Sequence, residues 1–344
     1  MQGTLYRTFR PLLFRLDPEL AHSLSLNLLR LTGLLPPLRW AVRRALSADR
    51  GTPVEAFGLT FPNAVGLAAG YDKDAIAWRG LACLGFGHLE LGSVTPGPQP
   101  GNPRPRIFRL ADERSLINSL GFPSRGADFV LRKLRSDRPP GLIVGLNLGK
   151  QKETPLSQAG DDYELLMKKL APAADYLTVN ISSPNTQDLR QLQRVEWLGP
   201  LLRRLVERRD ALRGELGRPL PLLVKLSPDL SDDELSSALR AIEESGVDGV
   251  VATNTTTSRD GIASPLAEQP GGLSGAALSA SSTEMVRRIA ERTGGRMPIV
   301  ASGGVMSPAD AKEKLEAGAR LVQLYTGLIY EGPGLVKRIV RELV

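Results

Sequence analysis

At 344 residues and 42% hydrophobic content the chain can bury a full core, either as one large α/β domain with an appendage or as two domains. Its single cysteine, Cys83, excludes an internal disulfide and any CxxC metal site, and two histidines leave little for a zinc centre, so a reducing compartment and no metal are expected. The net charge of +7 is concentrated in residues 1–50, where eight arginines face three acids; the remaining +2 carries no aromatic-interleaved basic stripe, which argues against nucleic acid as a partner.

In chain order, residues 18–35 carry leucines at 20, 24, 28, 31 and 35 with arginines elsewhere, an amphipathic helix that Pro36-Pro37 ends, and residues 38–46 repeat the pattern with Arg39, Arg43 and Arg44. Two readings stand at this point: a helix pair docked on the main domain, or an interfacial membrane anchor. No run approaches the roughly 18 uninterrupted apolar residues of a membrane span. Eight short Val/Ile/Leu-rich segments then recur, at 64–70, 88–94, 142–149, 176–183, 221–227, 249–255, 298–304 and 321–327. Helical stretches at 161–170, 198–212, 231–245, 282–293 and 307–317 lie between them, the third opened by a Ser231/Glu234 capping box.

Fully buried strands alternating with helices predict a parallel sheet, and eight such units predict closure into a (β/α)8 TIM barrel. A doubly wound open sheet is the runner-up, weakened because no GxGxxG follows the first strand. The expected division is an N-terminal helical module over residues 1–47 and a barrel over 48–344.

Polar residues fall at the C-terminal ends of the predicted strands: Lys73, Ser93, Asn147, Asn180 with Ser183, Lys225, Asn254 with Thr255, Gly303-Gly304 and Tyr325-Thr326. In a barrel these ends share one rim, where such folds place their sites. The glycines near the last two strands suit a phosphate held by backbone N–H groups, as in FMN, and the loop containing Gly275 adds another glycine-rich approach. Lys225, inside an apolar strand, either lies on an edge or meets negative charge; beside a reducible flavin ring it would stabilise the anionic reduced form. Asn118, Asn180, Asn185 and Asn254 offer uncharged donors and acceptors suited to a ring edged with carbonyls and N–H groups, such as a pyrimidine.

Six motifs occur together: Ala68-Ala-Gly-Tyr-Asp-Lys-Asp74, Gly92-Ser-Val-Thr-Pro-Gly-Pro-Gln-Pro-Gly-Asn102, Ile117-Asn-Ser-Leu-Gly-Phe122, Asn180-Ile-Ser-Ser-Pro-Asn-Thr186, Ala252-Thr-Asn-Thr-Thr256 and Leu321-Val-Gln-Leu-Tyr-Thr326. From about residue 5 to its end the chain resembles the dihydroorotate dehydrogenases, specifically the quinone-dependent class 2 enzymes. The resemblance implies a catalytic base at Ser183, where class 1 enzymes carry cysteine, and a helical extension whose signature Asp17-Pro-Glu-Leu-Ala-His22 matches. It further implies FMN contacts at Ala69, Gly70, Lys73, Ser93, Asn147, Asn180, Lys225, Thr253, Gly275, Gly304, Tyr325 and Thr326. Dihydroorotate would meet Lys73, Asn118, Ser119, Leu120, Gly121, Phe122, Asn180, Asn185, Asn254 and Thr255, with Thr186 and Phe122 on the proton path. His22, Arg109 and Tyr325 would line a quinone tunnel.

On this resemblance the chain oxidises dihydroorotate to orotate in pyrimidine biosynthesis and passes electrons to a membrane quinone. It would sit peripherally on the cytoplasmic face of the cell membrane, touching the membrane surface through its N-terminal helices. Tyr71 stands where leucine is usual and Ser93 where threonine is. The alternatives are an FMN barrel acting on pyrimidines with a nicotinamide partner, and a non-enzymatic, membrane-associated binding barrel.

Overall fold

The computed structural model describes residues 2–48, 51–135 and 138–344. Eight strands, β1 (Val65–Leu67), β2 (His88–Val94), β3 (Ile143–Leu148), β4 (Tyr176–Asn180), β5 (Leu222–Leu226), β6 (Gly249–Ala252), β7 (Ile299–Ser302) and β8 (Leu321–Leu324), pair in parallel with their chain neighbours. Closure comes from β8 pairing with β1, Val322 opposite Val65. The predicted strands overran these ladders by up to three residues at their C-terminal ends. Those surplus residues are the polar rim, where the chain leaves the ladder to form loops.

Alternate strand residues enter the barrel, and two glycines make the room. A Cβ on Gly66 would overlap the His88 ring, and one on Gly145 the Tyr176 ring. Below them, an antiparallel pair not foreseen from sequence (Val54–Ala56 with Leu59–Phe61) plugs the N-terminal end, and Phe61 stacks edge-on against His88 at 5.3 Å. Outside, the predicted helices are present. Ser231 and Glu234 close both halves of their capping box on the helix Asp232–Ser245.

Three helices precede the barrel: α1 (Gln2–Leu13), which sequence reading missed, α2 (Pro18–Leu34), capped by Asp17, and α3 (Pro36–Leu46). Pro36 and Pro37 do not merely end α2; they form the first turn of α3, where a missing N–H costs nothing. α2 lies close against α4 (Trp78–Ala82), because Gly80 has no side chain to strike the Leu29 carbonyl. A second unforeseen element, the antiparallel sheet of Ile107–Leu110, Ser115–Asn118 and Gly272–Gly275, stands over the rim beneath α1 and α2.

His88 is fully buried, and neither ring nitrogen has a partner among the described residues. Burial pushes its pKa down to about 3, whereas the unfolded chain takes up that proton near pH 6.5. Between these values the unfolded state binds more protons, so this residue's contribution to stability is complete above about pH 6.5 and is lost as pH falls. In urea denaturation between pH 7.5 and 5, wild type should therefore lose up to about 1.4 kcal/mol per pH unit more than His88→Leu. Parallel stability profiles would contradict this.

Candidate active site

The C-terminal ends of the strands surround a cleft. Asn180, the last residue of β4, organises its middle. The Asn180 Nδ2 donates to Ser93 Oγ at 3.0 Å and to Asn147 Oδ1 at 3.2 Å. Its Oδ1 accepts from Asn254 Nδ2 at 3.2 Å and from the Ser182 amide at 3.3 Å. The amide is thereby locked in one orientation, so the strand ends present a prearranged polar surface. Asn254 also donates to Ser182 Oγ at 3.0 Å.

On one side, Asn185 Nδ2 donates to Asn118 Oδ1 at 3.1 Å, while Asn185 Oδ1 is out of solvent with no donor among the described residues. An orphaned amide oxygen in a cleft wall is what a ring N–H would satisfy. Ser183 Oγ accepts the Asn185 backbone N–H at 3.2 Å. The buried Thr186 hydroxyl, three residues after Ser183, has no partner among the described residues.

Two lysines bring positive charge. Lys73 Nζ donates to the Gly70 carbonyl at 2.7 Å, and burial pushes its pKa down to about 8. Lys225 is buried inside the barrel, opposite Asn180 in the ladder. Burial lowers its pKa, partly offset by the charge of Glu90.

The far end is glycine-rich: Gly275, Gly303, Gly304 and Gly327 line it with Thr326, whose hydroxyl lies 2.9 Å from Ser274 Oγ. A Cβ on Gly304 would overlap Ser279, so glycine there follows from the close packing of the loop on the backbone behind it.

A second, apolar cavity lies between α1, α2 and the rim and shares Asn118, Leu120, Ser274 and Tyr325 with the first. His22, Arg109 and Tyr325 all line it. The His22 ring meets Tyr71 edge-on at 5.1 Å, and Tyr71 meets Tyr325 at 5.5 Å, a file of rings from α2 to the site. Burial and the nearby Lys73 charge push His22 down to about pKa 4, leaving it neutral at ordinary pH. Arg109 donates to the Leu16 carbonyl at 2.7 Å and covers the Phe14 ring at 4.9 Å, tying the rim sheet to the turn between α1 and α2.

The family model described as dihydroorotate dehydrogenase matches residues 52–344. Its matched span contains the whole barrel and both lysines. The chain belongs to the dihydroorotate dehydrogenase family. Relatives named dihydroorotate dehydrogenase (quinone) include one from Chromobacterium violaceum, 49% identical over 98% of this chain and 97% of its own length. Another, from Methylococcus capsulatus, is 49% identical over 96% of each chain. A crystal structure of DHODH from Eimeria tenella in complex with ferulenol superposes with a TM-score of 0.87 at 37% identity, covering 95% of this chain and 90% of that one.

The residues that the resemblance to dihydroorotate dehydrogenases assigned to cofactor and substrate converge on the first cleft, with three exceptions. Asn147 is fully buried behind Ser93 and Asn180, and Ser119 and Thr186 are not part of the cleft lining. Sequence reading missed Glu90. Fully buried on β2, it accepts from Asn147 Nδ2 at 2.8 Å, Gln323 Nε2 at 2.9 Å and Tyr176 Oη at 3.3 Å. An acid within His88-Leu-Glu-Leu-Gly carries the same signal that singled out Lys225, a charge inside an apolar strand.

Proposed function

We propose that this chain oxidises dihydroorotate to orotate in pyrimidine biosynthesis, with FMN as the hydride acceptor and a membrane quinone as the final acceptor. The observation carrying this reading is the junction of two cavities, one polar and one apolar, that share Tyr325, Asn118, Leu120 and Ser274. A water-soluble, carboxylate-bearing substrate suits the first, and a lipid-soluble acceptor the second.

The donor set fits FMN: a glycine-rich end for the phosphate, a fixed run of amides for the ring edge, and a buried cation at Lys225. When bound, FMN supplies the two-electron chemistry that joins the half-reactions. The chain's own residues do the rest. Asn118, Asn185 and Asn254 hold the amide edges of the pyrimidine, and Lys73 faces its carboxylate. Ser183 Oγ takes the proton from C5 of dihydroorotate, helped by the Asn185 N–H it already accepts, which stabilises charge developing on oxygen. As it does so, the serine's own hydroxyl proton passes onward through the Thr186 hydroxyl, along a path that the Phe122 ring walls. Ala69, Gly70, Ser93, Thr253, Gly275, Gly304, Tyr325 and Thr326 hold the cofactor, with Asn147 orienting Asn180 and Ser93 from behind.

Residues 1–47 act as the membrane- and quinone-facing module, and residues 48–344 as the catalytic barrel. Supporting this, α1 to α3 expose Phe9, Leu12, Leu20, Leu24, Leu28 and Leu31, and Trp40 near the middle of α3 is 71% exposed, an apolar face suited to shallow burial in a membrane. Among the described residues no helix is long and apolar enough to cross a membrane. A peripheral position on the cytoplasmic face follows from this reading.

Steady-state orotate formation tests the acceptor: turnover should follow added quinone and ignore NAD(P)+, and the reverse preference would sink the quinone assignment. Lys73 gives a pH signature. It is charged below about pH 8 in the free protein and neutral above, so kcat/KM for dihydroorotate should fall as pH rises through that value. Lys73→Met should lose that limb and raise KM by about 10- to 100-fold, the worth of a charge-assisted contact. An unchanged alkaline limb would place the titrating group elsewhere.

A further inference from the structure

Lys314, on the helix Pro308–Glu316 that follows β7, is fully buried, and the reading above does not use it. Burying an ammonium group is costly unless oxygens and opposite charge surround it. Its three donors meet Ser282 Oγ at 2.6 Å, Thr283 Oγ1 at 2.9 Å and the Ser279 carbonyl at 3.3 Å. Both hydroxyls are themselves engaged as donors, Ser282 to the Gly303 carbonyl at 2.9 Å and the Ser279 carbonyl at 3.0 Å, and Thr283 to the Ser279 carbonyl at 2.9 Å. Towards Lys314 they can only accept, which requires all three hydrogens on Nζ and therefore its positive charge.

No carboxylate among the described residues forms an ion pair with Lys314. The two acids whose charge reaches it are Asp310, which accepts from the Met306 amide and Ser307 Oγ, and the exposed Glu313. The charge is hydrogen-bonded but not neutralised. What lies in front of it is the glycine-rich end of the cleft: Gly303 and Gly304 line that cleft, and a Cβ on Gly303 would stand 3.2 Å from Ser282 Cβ. The Gly303–Gly304 peptide is trans, so its carbonyl and N–H point in opposite directions. Fastening the carbonyl to Ser282 turns the Gly304 N–H away from Lys314.

We propose that Lys314 is a positioning residue for the phosphate end of the cleft: through Ser282 it aims the Gly304 N–H at a phosphate monoester, and its buried charge is the counter-charge to that dianion. The inference rests on the FMN reading. FMN and riboflavin differ only by the phosphate, so release of each from protein loaded with it, followed by the return of flavin fluorescence on dilution, separates this role from general support of the fold.

Lys314→Met should release FMN about 10- to 100-fold faster, the range expected for losing a charge-assisted contact, and leave riboflavin release unchanged. Ser282→Ala keeps the charge and cuts the link, so it should show a smaller effect with the same selectivity, and Lys314→Arg should restore part of the FMN retention. Equal loosening of both flavins, or of neither, overturns the proposal. If Lys314→Met does not fold, Ser282→Ala and Lys314→Arg decide it by the same comparison. Wild-type protein that holds neither flavin overturns the FMN reading and this inference with it.

Discussion

Ser183→Ala should slow the reduction of bound flavin by dihydroorotate about 10²- to 10⁴-fold, the usual worth of a positioned general base, while flavin content stays unchanged. The separation is expected because, among the described residues, Ser183 Oγ bonds only the Asn185 N–H, whereas the amide framework of Asn180, Asn254, Ser93 and Asn147 closes without it. Removing the hydroxyl therefore takes away the proton acceptor and leaves the walls standing. A serine with no histidine, lysine or carboxylate bonded to it is a weak base, so its activity depends on exclusion of water and on an onward proton path. The buried Thr186 hydroxyl, three residues along the chain and without a partner among the described residues, is the first station of that path. Ser183→Cys should retain some activity with a shifted pH profile, since a thiol titrates well below an alcohol. Flavin reduction at the wild-type rate in Ser183→Ala would remove Ser183 from the mechanism.

Deleting residues 1–45 should divide the two half-reactions. Flavin reduction by dihydroorotate should stay within a few-fold of wild type, because every residue assigned to that step lies in the barrel. Reoxidation by a quinone should fall about a hundredfold or more, the effect of losing the surface that orients one reactant against another. α1 and α2 form one wall of the apolar cavity, including His22, and Glu19 fastens α2 to Arg106 at 2.7 Å. Arg106 donates to the Asn102 carbonyl, and Asn102 in turn donates to the Asn185 carbonyl at 3.1 Å, so a modest effect on substrate binding is expected too. Gly80→Val is the milder companion, since its side chain would strike the Leu29 carbonyl and lift α2 while leaving the helix in the chain. Full quinone turnover by a folded, truncated barrel would end the tunnel reading.

The barrel was legible because its strands are short, fully buried and apolar, so each stands out from the amphipathic helices around it. Their polar ends were legible for the same reason: an Asn, Lys or Ser breaking such a run is conspicuous, and eight breaks in phase define a rim. The antiparallel sheet over the rim was not legible. Its strands, Ser115–Asn118 and Gly272–Gly275, pair across more than 150 residues, and neither carries a periodicity that announces a partner. α1 was missed because Gln2–Leu13 contains Pro11 and mixes apolar with basic residues, leaving a weak pattern that docking completes: Tyr6 donates to the Ile329 carbonyl at 2.7 Å and Arg7 pairs with Glu331 at 2.8 Å. Glu90 was legible by the rule that singles out Lys225, an ionisable residue inside an apolar strand, but the donors that hold it come from distant strands. Lys314 was not legible, because a charged residue on an amphipathic helix reads as solvated unless its neighbours in space are known, and the oxygens that hold it come from another helix.

The junction of a polar and an apolar cavity at Tyr325 carries the functional account, and anaerobic visible spectroscopy of the purified protein tests it most directly. The protein should be yellow, should bleach on adding dihydroorotate without oxygen, and should regain its colour on adding a quinone. A colourless protein, or a yellow one that dihydroorotate leaves unbleached, would contradict the account.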